Sequence, residues 1–305
     1  MIYQINHISR IRYSGKIRIA RFNLRLKPAL WPGQQIHDFS LVVSPRPSNL
    51  STRPGAFLVN VTRVVIDEPI AALEITSRFL VRVADLAPQI LVDDPSIASV
   101  ARMALVRPDM GATGPANYLF TSPLAPLVPE ITAWAADYLP PDTAVLEAGL
   151  ALCRAITAGF RYDGDATEAD TPVQEAFAIR RGVCQDFAHI LIVGLRSAGL
   201  PAAYASGYLR TFPPPGKPRL EGVDAMHAWV VLWCGPERGW IGLDPTNGCI
   251  TGADHIMVAM GRDYSDVAPI DGIFVGKAAQ QLDVSVDVVP VPDEATNDGK
   301  AALNA

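Results

Sequence analysis

Apolar side chains recur at every second position through residues 1–85 of this chain, and that periodicity commits the segment to half-buried strands. In Phe22-Asn23-Leu24-Arg25-Leu26-Lys27 the Phe and both Leu fall on one face and the polar groups on the other. The pattern returns at Phe39 to Val43, Leu58 to Ile66 and Phe79 to Val83. Turn-rich clusters such as Ser44-Pro45-Arg46-Pro47-Ser48-Asn49 and Arg53-Pro54-Gly55 separate these runs. Such spacing predicts an N-terminal β-sandwich domain of about seven strands. Prolines then punctuate residues 86–128, a linker expected to pack on the core, with a helix at Pro95 to Val106.

From residue 129 the period changes to 3.6. Ile131, Trp134, Ala135 and Tyr138 share one helical face, as do Leu146, Leu150, Cys153 and Ile156. A third helix is expected to open at Thr171-Pro172-Val173-Gln174, with Thr171 as its cap and Gly182 closing it. A fourth runs from Cys184 to Ala198 and stops at Gly199, before Pro201. Strand character resumes at Ala202 to Leu209, His227 to Cys234, Trp240 to Asp244, Ile256 to Ala259 and Gln281 to Val289. Helices before strands make residues 129–289 an α+β core of helices on an antiparallel sheet, not a doubly wound fold. Thr211 to Asp224 reads as a long polar loop, and residues 290–305 as a flexible tail.

Hydrophobic residues at 49% and charged residues at 19% exclude a disordered chain. With 26 Lys+Arg against 31 Asp+Glu the net charge is -5, which argues against nucleic-acid or anionic-membrane partners held by bulk charge. The N-terminus shows no basic start followed by an apolar run, so no secretory signal is expected. The most apolar stretch, Phe187 to Leu200, is cut by His189 and Arg196 and is too short for a membrane span. A cytoplasmic location is the simplest expectation. The four cysteines contain no CxxC pair, so neither a zinc clamp nor a disulfide framework is expected. Asp163 to Glu168 begins like a calcium loop but lacks the glycine and glutamate such a loop needs. Phosphate loops, HExxH helices and dinucleotide fingerprints are also missing, so no metal or cofactor is predicted.

The residues with chemistry begin at Cys184. It sits in the first turn of a predicted helix, where free backbone N–H groups and the helix dipole favour a thiolate. Cys153, Cys234 and Cys249 lack that setting and are read as structural. His227 heads one strand and Asp244 ends the next; a reversal between Gly235 and Pro236 would place the two directly opposite each other. A one-residue slip would undo that pairing. The roles follow: Cys184 attacks a carbonyl, His227 takes and returns the proton, and Asp244 orients the imidazole and stabilises its cation. This is acyl transfer through a thioester. His189, five residues beyond Cys184, is rotated about 140° from it on a helix. Asp186 also points away, and both are read as local structural groups. The Cys184 N–H is the natural oxyanion donor. Gln185, Tyr208 and Trp229 are further substrate-binding or oxyanion candidates, with packing the plainer role for each.

GVCQDFAH, AAYASGYL, HAWVVLW and GWIGLDPTNG, in that order, resemble the transglutaminase-like superfamily of cysteine enzymes. HISRIRYS and RFNLRLKP resemble that family's bacterial N-terminal β domain, and HIMVAMGRDYSDVAPIDG its usual ending. The resemblance implies a papain-like core with a triad at Cys184, His227 and Asp244, acting on peptide or glutamine-type amides. Many relatives carry serine before the histidine and glutamate two residues after the tryptophan; Met226 and Val231 stand there instead. Hydrolysis is slightly favoured over transamidation because water needs no second site. A protein-glutamine transglutaminase and a catalytically silent interaction module are the alternatives. The N-terminal domain could serve as cleft wall, substrate selector or homodimer interface.

Overall fold

The longest alternating run forms the longest strand, β1 (Ile2–Ile17), in a computed structural model that describes residues 1–85, 88–212 and 226–292. It is followed by β2 (Ile19–Leu24), β3 (Gln34–Ser44), β4 (Asn49–Pro54), β5 (Asn60–Ile66) and β6 (Ile70–Val83). Next come α1 (Ile97–Val106), α2 (Pro129–Ala136), α3 (Val145–Gly159), β7 (Arg161–Tyr162), α4 (Val173–Ile179), β8 (Arg181–Gly182) and α5 (Cys184–Ser197). The remainder is β9 (Ala202–Leu209), β10 (Met226–Trp233), β11 (Trp240–Asp244), β12 (Cys249–Ile250), β13 (His255–Gly261), α6 (Tyr264–Val267), β14 (Ile270–Val275) and β15 (Gln280–Val291).

The sandwich contains two sheets, ordered β15-β1-β6-β3 and β14-β2-β5-β4. Ile11, Ile17, Phe22, Leu24, Val64, Leu73 and Ile75 interdigitate between them. Two strands from the far end of the sequence therefore complete a domain expected to close within residues 1–85. The first 85 residues supply six strands rather than seven, and the expected core boundary at 289 cuts through β15. The physical reason is the length of β1: a bare edge of that size would leave a row of backbone donors and acceptors unpaired, and β15 covers it from Ile2 to Tyr13. Pro290, expected to begin a tail, belongs to β15. The rest of the expected tail, from residue 293, lies outside the described residues, as does the expected polar loop from residue 213 to Asp224.

The core sheet runs β12-β11-β10-β9-β13, antiparallel throughout. Across it lies α5, buried at every position from Asp186 to Arg196, as befits a helix enclosed on all sides. Arg196 fixes its far end by donating to the carbonyls of Phe120, Ala202 and Arg262. One apolar cluster joins α3, α5, β9 and β10 to Tyr3, Ile5, Phe79, Val81, Val286 and Val288 of the sandwich, so the two halves share a core. Between that cluster and the sandwich interior runs a buried polar seam. His7 Nδ1 meets the Tyr208 hydroxyl at 2.9 Å, and its Nε2 meets Ser9 Oγ at 2.9 Å.

Two local expectations change. Thr171 does not cap α4; its hydroxyl accepts the Glu168 N–H at 2.8 Å, a turn contact that competes with capping, and Pro172 stands at the cap position. The helix ends at Arg180 in the left-handed conformation (φ 56°), with its guanidinium over the Phe177 and Phe160 rings at 4.1 and 4.6 Å, so Gly182 is not the terminator. The β10–β11 hairpin reverses between Pro236 and Glu237, pairing Trp233 with Trp240 and Val230 with Leu243. Its turn is longer than expected because Gly239, with φ 65°, closes it by donating to Gly235 and accepting from Cys234. His227 and Asp244 are thus diagonal rather than directly opposite. A two-residue shift preserves the face each side chain occupies.

Candidate active site

Cys184 is the first residue of α5, half-buried, with its helix start braced by Asp186. That carboxylate accepts the Val183 N–H at 2.8 Å and the Thr167 hydroxyl at 2.7 Å. Gly182 is required beside it, because a Cβ there would run into the Asp186 carboxylate. Burial pushes the Asp186 carboxyl up, while these hydrogen bonds act in the opposite direction.

His227 is the second residue of β10, paired with Gly207 of β9. A side chain at Gly207 would collide with the Ile256 carbonyl and the Trp229 ring. Trp229 stacks against the His227 imidazole (6.2 Å between centroids) and meets the His255 ring edge-on (5.5 Å). His227 Nε2 lies 2.8 Å from Asp244 Oδ2, and the Cys184 sulfur is near enough to favour the protonated imidazole. With Nε2 committed to the carboxylate, Nδ1 is the nitrogen left for sulfur. Of the three predicted residues, His227 and Asp244 are thus in direct contact, with Cys184 at the adjoining start of α5.

Asp244 is fully buried and accepts five hydrogen bonds. Oδ1 takes the backbone N–H groups of Thr246 and Asn247 at 2.9 and 3.2 Å; Oδ2 takes His227, the Asn247 side chain at 2.7 Å and His255 Nε2 at 3.1 Å. Burial opposes this charge, yet the donors, led by His227 and His255, hold the carboxyl well below the usual carboxylate range. For His227, burial disfavours the imidazolium, but Asp244 and Cys184 outweigh it and raise the ring to about 9. The turn after Asp244 is tied to α3 by the Thr157 hydroxyl, which donates to the Pro245 carbonyl at 2.8 Å.

The other candidates separate. Gln185 donates to the Ala169 carbonyl at 2.8 Å and tethers the preceding loop. Tyr208 is fully buried with its hydroxyl engaged by His7, which removes it from a substrate-contacting role. Trp229 touches the His227 ring. His189 accepts the Tyr264 N–H at 3.2 Å, and burial lowers it to about 4. Cys153 and Cys234 are fully buried thiols pushed up by desolvation. Asn247 and His255 were not singled out by sequence. The Asp-Pro-Thr-Asn order does carry a signal for Asn247, because Asp commonly accepts from backbone N–H groups two and three residues on. His255 carries no local signal, since only tertiary pairing of β13 with β9 brings it to Asp244.

The ligand atoms of His227, Asp244 and His255 all lie within 4.8 Å, a spacing open to a metal ion. Hydrogen bonding accounts for it: Gly252 N–H donates to His255 Nδ1 at 3.3 Å, so the His255 proton resides on Nε2, the atom that faces Asp244.

Residues 3–82 match the bacterial transglutaminase-like N-terminal region, and residues 132–245 match the transglutaminase-like superfamily. An uncharacterized protein of Mycobacterium tuberculosis, Rv2569c, is 36% identical over 303 residues, covering 96% of this chain and 94% of its own length. The chain belongs to the transglutaminase-like superfamily. A protein-glutamine gamma-glutamyltransferase of Pseudomonas aeruginosa is 39% identical to this transglutaminase-like protein over 82 residues, 27% of the chain and 12% of the relative. The crystal structure of a candidate cysteine protease from Cytophaga hutchinsonii superposes with a TM-score of 0.69, at 20% identity and over 96% and 92% of the two chains. At that identity the likeness establishes the shared fold. Among the described residues of this superfamily member, no helix is long and apolar enough to cross a membrane.

Proposed function

We propose that this protein is a thiol acyl-transfer enzyme acting on peptide or glutamine-type amides through a Cys184–His227–Asp244 triad. The reading is carried by one observation: the His227 imidazole is held at 2.8 Å by the buried Asp244 carboxylate, with the Cys184 sulfur at the start of α5 near enough to favour its protonated form. Cys184 Sγ attacks the amide carbon as its proton passes to His227, and Asp244 stabilises the imidazolium. The carbonyl oxygen becomes an oxyanion, for which the Cys184 N–H at the start of α5 is one donor. Collapse breaks the C–N bond; His227 returns the proton to the leaving amine, and a thioester remains. Water then attacks the thioester with His227 as base, releasing the acid and restoring the thiol.

Water is the favoured acceptor, because it needs no second binding site. An amine in its place would give transamidation, a reading supported by the local similarity to the Pseudomonas glutamyltransferase. Four free cysteines suit a reducing compartment, in keeping with a cytoplasmic enzyme. Brief iodoacetamide treatment followed by mass spectrometry tests the triad. Cys184 is alkylated ahead of the other three cysteines, and His227→Ala removes that preference. Equal labelling, or none, would indicate a silent interaction module. Intact-mass trapping from a peptide library, with and without added amine, separates hydrolysis from transfer.

A further inference from the structure

We propose that His255 is a positioning residue of this site, a neutral imidazole that clamps Asp244 so that its carboxylate serves His227 alone as counter-ion. The inference rests on the triad reading above and adds a fourth residue to it.

Two imidazoles converge on one carboxylate oxygen, and their remaining nitrogens face different chemistry. The second nitrogen of His227 is left for a thiol, which can give or take a proton. The second nitrogen of His255 meets the Gly252 N–H at 3.3 Å, a group that can only donate. An imidazolium at 255 would set two N–H groups against each other there. His255 is therefore held as the Nε2–H tautomer and gives Asp244 a hydrogen bond at 3.1 Å without bringing a second positive charge. The edge of Trp229 and the short strand pairing of β13 with β9 fix the ring in place.

The clamp acts on geometry. Thr246 and Asn247 grip Oδ1 from the turn, while Asn247 and His255 grip Oδ2 together with His227. Asn247 belongs to the same turn as Asp244 and moves with it. Besides His227 of β10, His255 of β13 is, among the described residues, the group that anchors the carboxylate to another strand of the sheet. Neighbouring ionisable groups do not replace it. Cys184 reaches the cluster from α5, Cys249 from β12 and Cys153 from α3, and none of these hydrogen-bonds Asp244. Asp254, adjacent in sequence, is engaged by the Tyr3 hydroxyl at 2.6 Å and by Arg210 at 3.6 Å.

The test compares His255→Phe, which keeps a ring and deletes the donor, with His255→Gln, which restores an N–H near the position of Nε2. The readout is the alkylation rate of Cys184 as a function of pH. At about pH 6.5 His255→Phe slows labelling about tenfold, and His255→Gln recovers it to within about threefold of wild type. A folded His255→Phe protein with the wild-type profile would overturn the clamp, as would a Gln variant no better than Phe. If Phe at 255 prevents folding, nitrogen-15 NMR of the wild-type protein decides: His255 carries its proton on Nε2 at about pH 7.5, and an Nδ1–H tautomer or an imidazolium there refutes the proposal. Wild-type Cys184 labelled no faster than Cys249 would instead bring down the triad reading, and the clamp with it.

Discussion

His7 is a buried imidazole and His227 a largely buried one, each with a hydrogen-bonded ring nitrogen, yet their proton affinities move in opposite directions. At the seam between sandwich and core, His7 sits between two neutral hydroxyls, Tyr208 and Ser9, and burial lowers it to about 4. In the cleft, burial pulls on His227 too, but the Asp244 carboxylate and the Cys184 sulfur outweigh it and raise it to about 9. Desolvation is common to the two sites; an anion within hydrogen-bond reach is found at only one. The seam uses histidine as a neutral connector. In the proposed reaction the other site uses it as a proton carrier. Burial alone therefore says little about which histidine of a chain does chemistry.

The largest test of that contrast is removal of the cleft groups. Cys184→Ala abolishes acyl-enzyme formation by intact mass, and His227→Ala lowers turnover about a thousandfold or more, whereas His7→Asn leaves the rate within a few fold. The alkaline side comes next. Because the folded protein holds the His227 proton more tightly than the unfolded chain, the stability it contributes is complete below about 6.5 and is lost as pH rises through about 9. The protonated form needed to expel the leaving amine disappears over the same range, so a pH–rate profile should fall about tenfold per unit above about 9.

The seam gives the opposite sign. His7 is harder to protonate folded than unfolded, so stability falls with pH between about 6.5 and about 4, by about 3 kcal/mol. His189, also lowered to about 4, adds a similar slope. Urea titrations at the two ends of that range should show the acid loss reduced by about half in a His7→Leu/Tyr208→Phe double variant. The smallest effect is at Thr157→Val. Losing its bond to the Pro245 carbonyl costs about 1 kcal/mol in a urea titration and slows turnover only slightly, because Asp244 keeps its own donors.

Much of the cleft was legible because its signals are local. A cysteine after a glycine break, a histidine heading a strand and an aspartate ending its hairpin partner are all visible in short windows. Even the hairpin error was benign, since the extra turn residues shifted the register by two and left the faces unchanged. Tyr208 misled for the same reason that His7 went unnoticed: a polar group in a strand looks alike whether it faces substrate or a buried seam. His255 and the partners of β14 and β15 depend on contacts between segments far apart in sequence, where periodicity is silent. Thr171 failed as a cap because a nearby backbone N–H competed successfully for its hydroxyl.

The return of β14 and β15 to the N-terminal sheets makes the transglutaminase-like core a guest stitched into its host at both margins. A ribosome must deliver residue 291 before β15 can lie fully along β1, so neither sheet has its full set of strands while the thiol-bearing helix is being made. Cutting the gene between the halves would leave each with a raw border, and expressing the core alone should yield an insoluble product rather than a minimal enzyme.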